Sequence, residues 1–287
     1  MVFVISILKL LKQSAIRWTD DNASSKGAAL AYYTTFSIAP LLIIAIAIAG
    51  LIFGQEAARG GLFRELNTLF GAEASTAIEA MLKNAYKPDE AIFSVIVSTL
   101  TLLIGATTVF VELQSSLDTI WKAEPRPGSG IVNFIKTRLI SIGMILAIGF
   151  LLIVSLMMSV FIAALANVWS GWLSNVEWLL QIINFAVWFG VITLLFAMIY
   201  KYLPNVKIAW EDVWIGASVT SLLFAGGKLL IGLYIGKSAL SSSFGAAGAF
   251  VVLIVWIYYS AQIFLFGAEF TYQYAHERGS LAETKKK

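Results

Sequence analysis

The chain has 287 residues, of which 59% are hydrophobic and only 13% charged, and its formal net charge is +3. A soluble domain carries about 25% charged residues, so this composition excludes an ordinary soluble domain and predicts a protein embedded in a bilayer. There is no cysteine, and His276 is the single histidine. Zinc sites rich in Cys and His, and catalytic triads that need histidine, are therefore excluded. The net charge is too small to indicate nucleic-acid binding.

The N-terminal stretch "MVFVISILKLLKQ" is apolar but is interrupted by Lys9 and Lys12. It has no basic residues ahead of its apolar part and no evident small-residue cleavage site, so we expect no cleaved signal peptide. An amphipathic helix lying in the membrane interface fits the pattern better. We therefore predict an interfacial segment over residues 1–26.

Six stretches reach the roughly 20 mainly apolar residues that a membrane-spanning helix needs. They predict an all-α, polytopic membrane protein with a single membrane domain over residues 1–287. The predicted spans are Leu30–Phe53, Ala91–Val111, Leu139–Leu165, Trp178–Tyr200, Val213–Tyr234 and Ala246–Phe266, the last continuing as helix to about Tyr274.

The orientation follows from the distribution of lysine and arginine. With the N-terminus inside, the inner segments hold 14 of these residues and the outer segments hold 5, while Lys228 lies within a span. This bias places both termini in the cytoplasm, including a cytoplasmic tail over residues 275–287. An even number of spans agrees with that arrangement.

The first span, within "GAALAYYTTFSIAPLLIIAIAIAG", carries Pro40 in its middle. Proline removes a backbone donor and clashes with the preceding turn, so a kink is expected there. Tyr32 and Tyr33 fall at the inner interface, where amphipathic rings are favoured. The polar half of this span forms either a packed helix with an aromatic belt or the lining of a cytoplasmic cavity.

The first outer loop, residues 54–90, carries charges of both signs and apolar residues at helical spacing. The apolar positions are Leu62, Leu66 and Leu69 in one half and Ile78, Met81, Leu82 and Ala85 in the other. This spacing predicts two short amphipathic helices over the outer mouth of the protein.

Ionisable residues within a membrane are costly, so each is a candidate functional residue. Glu112 lies 21 residues after Ala91, about 31 Å along the second span and so near its inner end;. Gln114 and Asp118 follow on the same helix as a polar stripe. In the sixth span, Gln262 and Glu269 are seven residues apart and share one face;.

These groups have two interpretations. Glu112 and Glu269, at similar depth near Tyr32 and Tyr33, form one inward-facing substrate vestibule. Alternatively, the two carboxylates only cap or cross-link helices, bonding to backbone donors or to basic residues such as Lys26, Arg126 or Arg138.

Lys228 lies six residues before Tyr234, about 9 Å from the outer end of the fifth span;. Asn184 falls at a similar depth in the fourth span. Lys228 either snorkels to the outer headgroups or, helped by Asn184, contacts an anionic headgroup. Glycines near the outer turn, including Gly245 and Gly248, indicate either close helix packing or a hinge.

Four blocks of the sequence carry a family resemblance: "GAALAYYTTFSIAPLL", "LQSSLDTIWKAEPRP", "YLPNVKIAWEDVWIGASV" and "FGAAGAFVVLIVWIYYSAQIFLFGAEFTYQYA". Together they resemble the YihY/BrkB family, once named ribonuclease BN, and they are spread over nearly the whole chain. The resemblance implies a six-helix protein of the bacterial plasma membrane, which is the inner membrane in a Gram-negative cell. It implies no chemistry and transfers no catalytic residue.

Three functions are compared. The first is transport or flipping of an amphipathic, lipid-like substrate; without a G-x-x-x-x-G-K-[ST] loop it would use a gradient, a partner or no energy input. The second is a non-catalytic scaffold of the cell envelope. The third is a metal-dependent nuclease, disfavoured because Glu211 and Asp212 are only a lone acidic pair at a predicted helix start;.

We expect membrane lipids as partners, and self-association or an envelope protein partner stays open. We expect no nucleic acid, cofactor, metal or catalytic residue.

Overall fold

The computed structural model describes residues 2–70, 72–85, 108–124, 143, 177–237 and 248–282. Within those ranges the chain forms helices joined by short turns, and no strand occurs there. The prediction of an all-α protein is confirmed for this part of the chain.

Two helices open the chain, α1 (Val2–Asp20) and α2 (Ala23–Phe53). Asn22 joins them in the left-handed region with φ 53°, a conformation that asparagine tolerates better than most residues;. The predicted amphipathic helix is therefore present as α1, and it buries Leu10 and Ser14 against the rest of the protein. Its location in the membrane interface stays a prediction.

Helix α2 continues through Pro40 without interruption. The Thr35 hydroxyl donates to the carbonyl of Ala31, which lies within its own preceding turn, at 2.7 Å. The kink at Pro40 stays a prediction.

The predicted outer loop contains the two expected helices, α3 (Gln55–Phe70) and α4 (Ala72–Ala85). Leu62 and Leu66 of α3, with Ile78 and Leu82 of α4, are buried against α2 and the last helix of the chain. The amphipathic pattern of this loop therefore serves to pack a helical hairpin onto the bundle.

The next described helix, α5, covers residues 108–120 and ends at a turn in which Lys122 has φ 51°. It carries Glu112, Gln114 and Asp118. Nearly all of the two predicted spans Leu139–Leu165 and Ala91–Val111 lies outside the described residues, as does Gly245.

Three further helices complete the described chain: α6 (Glu177–Tyr202), α7 (Trp210–Lys237) and α8 (Gly248–Glu277). Among the described residues these three are long and apolar enough to cross a membrane, over Phe185–Tyr202, Trp210–Tyr234 and Phe250–Glu277. The fourth, fifth and sixth predicted spans are thus confirmed as long apolar helices. The total of six spans and their orientation stay predictions.

Helix α8 lies at the centre of the described bundle and contacts α1, α2, α4 and α7. One apolar cluster joins its first half to α2 and the α3–α4 hairpin, through residues such as Leu253 and Trp256. A second joins its other half to α5, α6 and α7, through residues such as Phe264 and Leu265. The core is therefore organised around α8 along its whole length.

Small residues bring α7 and α8 close together. A Cβ at Gly267 would overlap the side chains of Thr220 and Tyr200, and a Cβ at Gly227 would overlap those of Tyr259 and Ile263. At Gly227 and Gly267, glycine therefore serves close helix packing. Gly248 is buried at the start of α8.

Candidate functional site

A buried charged cluster holds α1 against α8. The guanidinium of Arg17 donates from Nε to Oε2 of Glu269 at 3.0 Å, and its Nη2 lies 3.5 Å from Oδ2 of Asp21. Nη2 also donates to the carbonyl of Ile120 at the end of α5, at 3.2 Å. The Cζ atom lies 3.9 Å from the centroid of the Tyr272 ring. We call Arg17, Asp21, Glu269 and Tyr272 the Arg17 cluster.

This cluster is desolvated. The Glu269 side chain is fully buried, while the Arg17 side chain keeps 17% exposure. Oε1 of Glu269 has no hydrogen-bond partner among the described residues. Because a buried polar group without a partner is costly, the contact with Arg17 stabilises Glu269 at this position;.

A groove lies beside the cluster, with a volume of about 520 Å³. Helices α7, α8 and α1 form its walls, and its lining is almost entirely apolar. The lining residues are Leu222, Leu223, Gly226, Gly227 and Leu230 from α7, Tyr259, Gln262, Ile263 and Phe266 from α8, and Ala15 and Trp18 from α1. This volume falls within the roughly 300–1,000 Å³ of small-molecule sites.

The groove and the Arg17 cluster are neighbours on the same two helices. Trp18, in the groove wall, directly follows Arg17 on α1. On α8, Gln262 and Phe266 line the groove and precede Glu269 by seven and three residues, which keeps all three on one face;. The apolar groove thus ends next to the Arg17 cluster. This arrangement suits a molecule with an apolar chain and a polar end.

Gln262 also closes the contact between α8 and α2. Its Nε2 donates to the carbonyl of Ser24 at 3.3 Å, and a Cβ at Gly27 would overlap its amide. Nearby, the hydroxyls of Ser24 and Tyr258 lie 3.1 Å apart. Gln262 and Glu269 share one face of α8. Gln262 lines the groove, and Glu269 belongs to the Arg17 cluster.

Two other predicted residues bind the turn between α6 and α7. Gln114 donates to the carbonyl of Leu203 at 2.9 Å. Asp118 accepts bonds from both the backbone and the side-chain amide of Asn205, each at 2.7 Å. The predicted polar stripe on α5 thus anchors a neighbouring loop.

The remaining predicted residues lie apart from the groove lining. Glu112 is half-buried, and Tyr32 is 61% exposed with its ring packed edge-on against Tyr33 and Phe36. The Lys228 ammonium lies 5.5 Å from the centroid of the Trp188 ring of α6. The side chain of Asn184 lies outside the description.

The two residues of the acidic pair considered for a nuclease differ in their exposure. Glu211 is exposed, whereas Asp212 is buried and accepts a 2.6 Å hydrogen bond from the hydroxyl of Ser280. Among the described residues no group of three or more His, Asp or Glu side chains is placed to hold a metal ion.

Sequence reasoning identified Glu269 but missed its partner, Arg17. A signal was available: Lys9 and Arg17 are eight residues apart, as are Glu269 and Glu277. Lys9 lies 3.7 Å from Glu277 while Arg17 contacts Glu269, so α1 runs antiparallel to the end of α8 with matched charge spacing.

Comparison with known proteins gives the family. The model of the family described as "Virulence factor BrkB" matches residues 15–287. The chain belongs to this family. The match begins within α1, so it includes Arg17 together with all of α8.

Relatives in this family are named as membrane proteins. The chain is 28% identical to a "UPF0761 membrane protein" of Pseudomonas paraeruginosa over 262 residues, covering 88% of this chain and 60% of that protein. It is also 28% identical to a "UPF0761 membrane protein" of Actinobacillus pleuropneumoniae over 265 residues, covering 88% of this chain and 89% of that protein.

The chain therefore spans about 60% of the length of the Pseudomonas relative. No solved structure matches it. The apolar helices and the names of these relatives identify a multi-pass bacterial membrane protein of the BrkB family.

Proposed function

We propose that this BrkB-family protein binds an amphipathic, lipid-like substrate in the groove between α1, α7 and α8 and moves the polar end of that substrate across the membrane. The observation that carries the proposal is the adjacency of an apolar groove of about 520 Å³ to the Arg17 cluster. The proposal assigns the protein no chemical reaction.

The physical argument begins with the apolar part of such a substrate. An acyl chain loses little by moving from bilayer hydrocarbon to a groove lined by leucine, isoleucine and phenylalanine, because both surroundings are apolar. The groove therefore positions the acyl chain and adds little to the free energy of binding. It holds a chain against α8 while the polar end of the molecule is displaced.

The polar end sets the barrier to crossing. A polar group without hydrogen-bond partners in hydrocarbon costs several kcal/mol, on the order of 2–7. Gln262 supplies a polar side chain in the groove wall, and the guanidinium of Arg17, which keeps 17% exposure, lies near the end of the groove. Such groups reduce the barrier by replacing water around the moving headgroup.

Lipid transfer in liposomes tests the proposal, and the groove offers a matched pair of variants. A Cβ added at Gly226, in the groove wall, meets no atom within 4 Å, so Gly226→Leu can place an apolar side chain at the groove. Gly232→Leu is the control, because Gly232 lies on the same helix, is equally unobstructed and does not line the groove. Both changes replace a helical glycine and should favour the helix by up to about 1 kcal/mol.

We expect the parent protein to transfer fluorescently labelled phospholipid between leaflets faster than empty vesicles do. Gly226→Leu should slow this transfer at least fivefold, whereas Gly232→Leu should stay within twofold of the parent. Equal rates for the two variants would show that the groove is not the path. A parent without activity for any of several headgroups would refute transport and favour the envelope scaffold.

A further inference from the structure

The turn between α6 and α7 presents three exposed aromatic side chains. Tyr202, Trp210 and Trp214 are 54%, 39% and 44% exposed. The rings of Tyr202 and Trp210 meet edge to face with centroids 5.9 Å apart, and those of Trp210 and Trp214 stack at 6.1 Å. We call these three residues the aromatic patch. Large exposed apolar surfaces mark contact with another phase or molecule.

Hydrogen bonds with α5 fix the turn that carries the aromatic patch. Gln114 donates to the carbonyl of Leu203, and Asp118 accepts bonds from Asn205. Lys201 donates to the carbonyl of Ile208, and its ammonium lies 5.4 Å from the centroid of the Trp210 ring. The rings are therefore presented in a fixed arrangement, which lowers the entropic cost of binding a partner.

Two apolar helices end at this patch. One membrane-length segment finishes at Tyr202, and the next begins at Trp210. Beyond the patch, α7 exposes only aliphatic large side chains, namely Ile215, Leu222, Leu229, Leu230 and Leu233, until it reaches Tyr234, which is 57% exposed. From Trp214 to Tyr234 the helix rises about 30 Å, which is the thickness of the hydrocarbon core of a bilayer.

We propose that the aromatic patch, with Lys207 beside it, is a binding surface for the phosphate-bearing headgroups of the membrane leaflet at this end of the bundle. Indole and phenol rings favour the headgroup level because they combine an apolar body with a polar edge. Lys207 is exposed and offers an ammonium to phosphate, while the exposed Glu211 keeps the net positive charge of the turn small. The Lys and Arg bias of the sequence predicts that this is the cytoplasmic leaflet.

Site-directed spin labelling tests the proposal directly, because the chain has no cysteine and one introduced cysteine is labelled uniquely. Ile215→Cys reports beside the patch, and Leu229→Cys is the control on the aliphatic part of the same exposed face. Each labelled protein is placed in nanodiscs whose phospholipids include one with a nickel-chelating headgroup.

We expect headgroup-bound nickel to relax the label at position 215 at least threefold more than the label at position 229. Molecular oxygen, which concentrates in the acyl chains, should show the opposite order. The proposal is wrong if the label at 215 responds to a water-soluble nickel chelate and not to the lipid-bound metal, since the patch would then face water and a soluble partner. It is equally wrong if both labels behave as buried in hydrocarbon.

A second measurement separates the rings from the depth of the helix. The double variant W210L/W214L keeps apolar surface but removes the indole groups, and Phe185→Leu removes an exposed ring at the far end of α6. Native mass spectrometry of the purified proteins should show phospholipid retention reduced at least twofold in the double variant and unchanged in the control. Equal retention in the two proteins would refute a role for the patch in lipid binding.

Discussion

Arg17 and Glu269 form a 3.0 Å ion pair although they are separated by 252 positions in the sequence. The pair joins the first helix to the last and lies beside the groove proposed as the substrate path. Helix α1, which this pair attaches to α8, is therefore part of the candidate site.

The first prediction concerns this pair. Arg17→Met removes the partner of the buried Glu269 and the donor to the Ile120 carbonyl, and should destabilise the protein by about 1–3 kcal/mol;. Glu269→Leu should cost less, because Arg17 is partly exposed and keeps its contacts with Asp21 and the Ile120 carbonyl. Thermal unfolding in detergent should show this order as a larger drop in midpoint for Arg17→Met.

Two controls accompany that measurement. The double variant R17M/E269L should be more stable than Arg17→Met alone, because it does not leave the buried Glu269 side chain without its partner. Lys9→Gln should change stability by less than about 1 kcal/mol, since the Lys9 side chain is 64% exposed and surface pairs contribute little;. If Arg17→Met were as stable as the parent, the cluster would have no structural role.

The second prediction concerns the hydroxyl of Tyr200. This fully buried group donates to the carbonyl of Phe264 at 2.7 Å and lies 3.1 Å from the hydroxyl of Thr220. Tyr200→Phe leaves the carbonyl without that donor and should destabilise the protein by about 1–3 kcal/mol. Tyr202→Phe, at an exposed position, should have little effect; similar midpoints for the two variants would contradict the prediction.

The third prediction concerns close packing between α7 and α8. Gly267→Ala places a methyl group against the side chains of Thr220 and Tyr200 and should destabilise the protein by about 1–3 kcal/mol through forced separation of the helices;. Gly190→Ala, where the added methyl meets no atom within 4 Å, should be neutral or stabilising because alanine favours a helix;. Thermal midpoints compare the two directly, and a stabilising Gly267→Ala would show that the seam tolerates separation.

The fourth prediction concerns orientation. In cells or right-side-out vesicles, a membrane-impermeant maleimide should label Glu79→Cys on the α3–α4 hairpin and should not label Lys12→Cys on α1 until the membrane is broken. Both positions are exposed, so access depends on the side of the membrane rather than on burial. Labelling of Lys12→Cys from outside intact cells would reverse the predicted orientation.

Much of the helical framework follows from local pattern. The apolar runs predicted α6, α7 and α8 because uninterrupted hydrophobicity of sufficient length favours a buried or membrane-spanning helix;. The spacing of Leu62, Leu66, Ile78 and Leu82 predicted α3 and α4 because residues three and four apart share a helix face;.

The candidate site was harder to predict from the sequence than the helices were. The sequence indicates Gln262 and Glu269 because polar groups are costly in an apolar helix, and the structure places them at the groove and in the Arg17 cluster. The proposed cation for Glu269 included Lys26, which instead donates to Thr119 at 3.1 Å. The sequence also indicates Asp118 as a candidate substrate-binding residue, and in the structure it accepts a hydrogen bond from Asn205. The sequence identifies a polar residue that needs a partner within an apolar helix. It does not identify which residue that partner is.

The sequence by itself determined that this chain is helical and membrane-embedded, because hydrophobic length and charge bias are properties of single segments. Only the tertiary structure decided that α1 lies antiparallel to the end of α8, that Arg17 contacts Glu269, and that a groove opens beside them. Those relationships depend on which helix faces meet, and contacts between residues hundreds of positions apart are set by packing of the whole bundle.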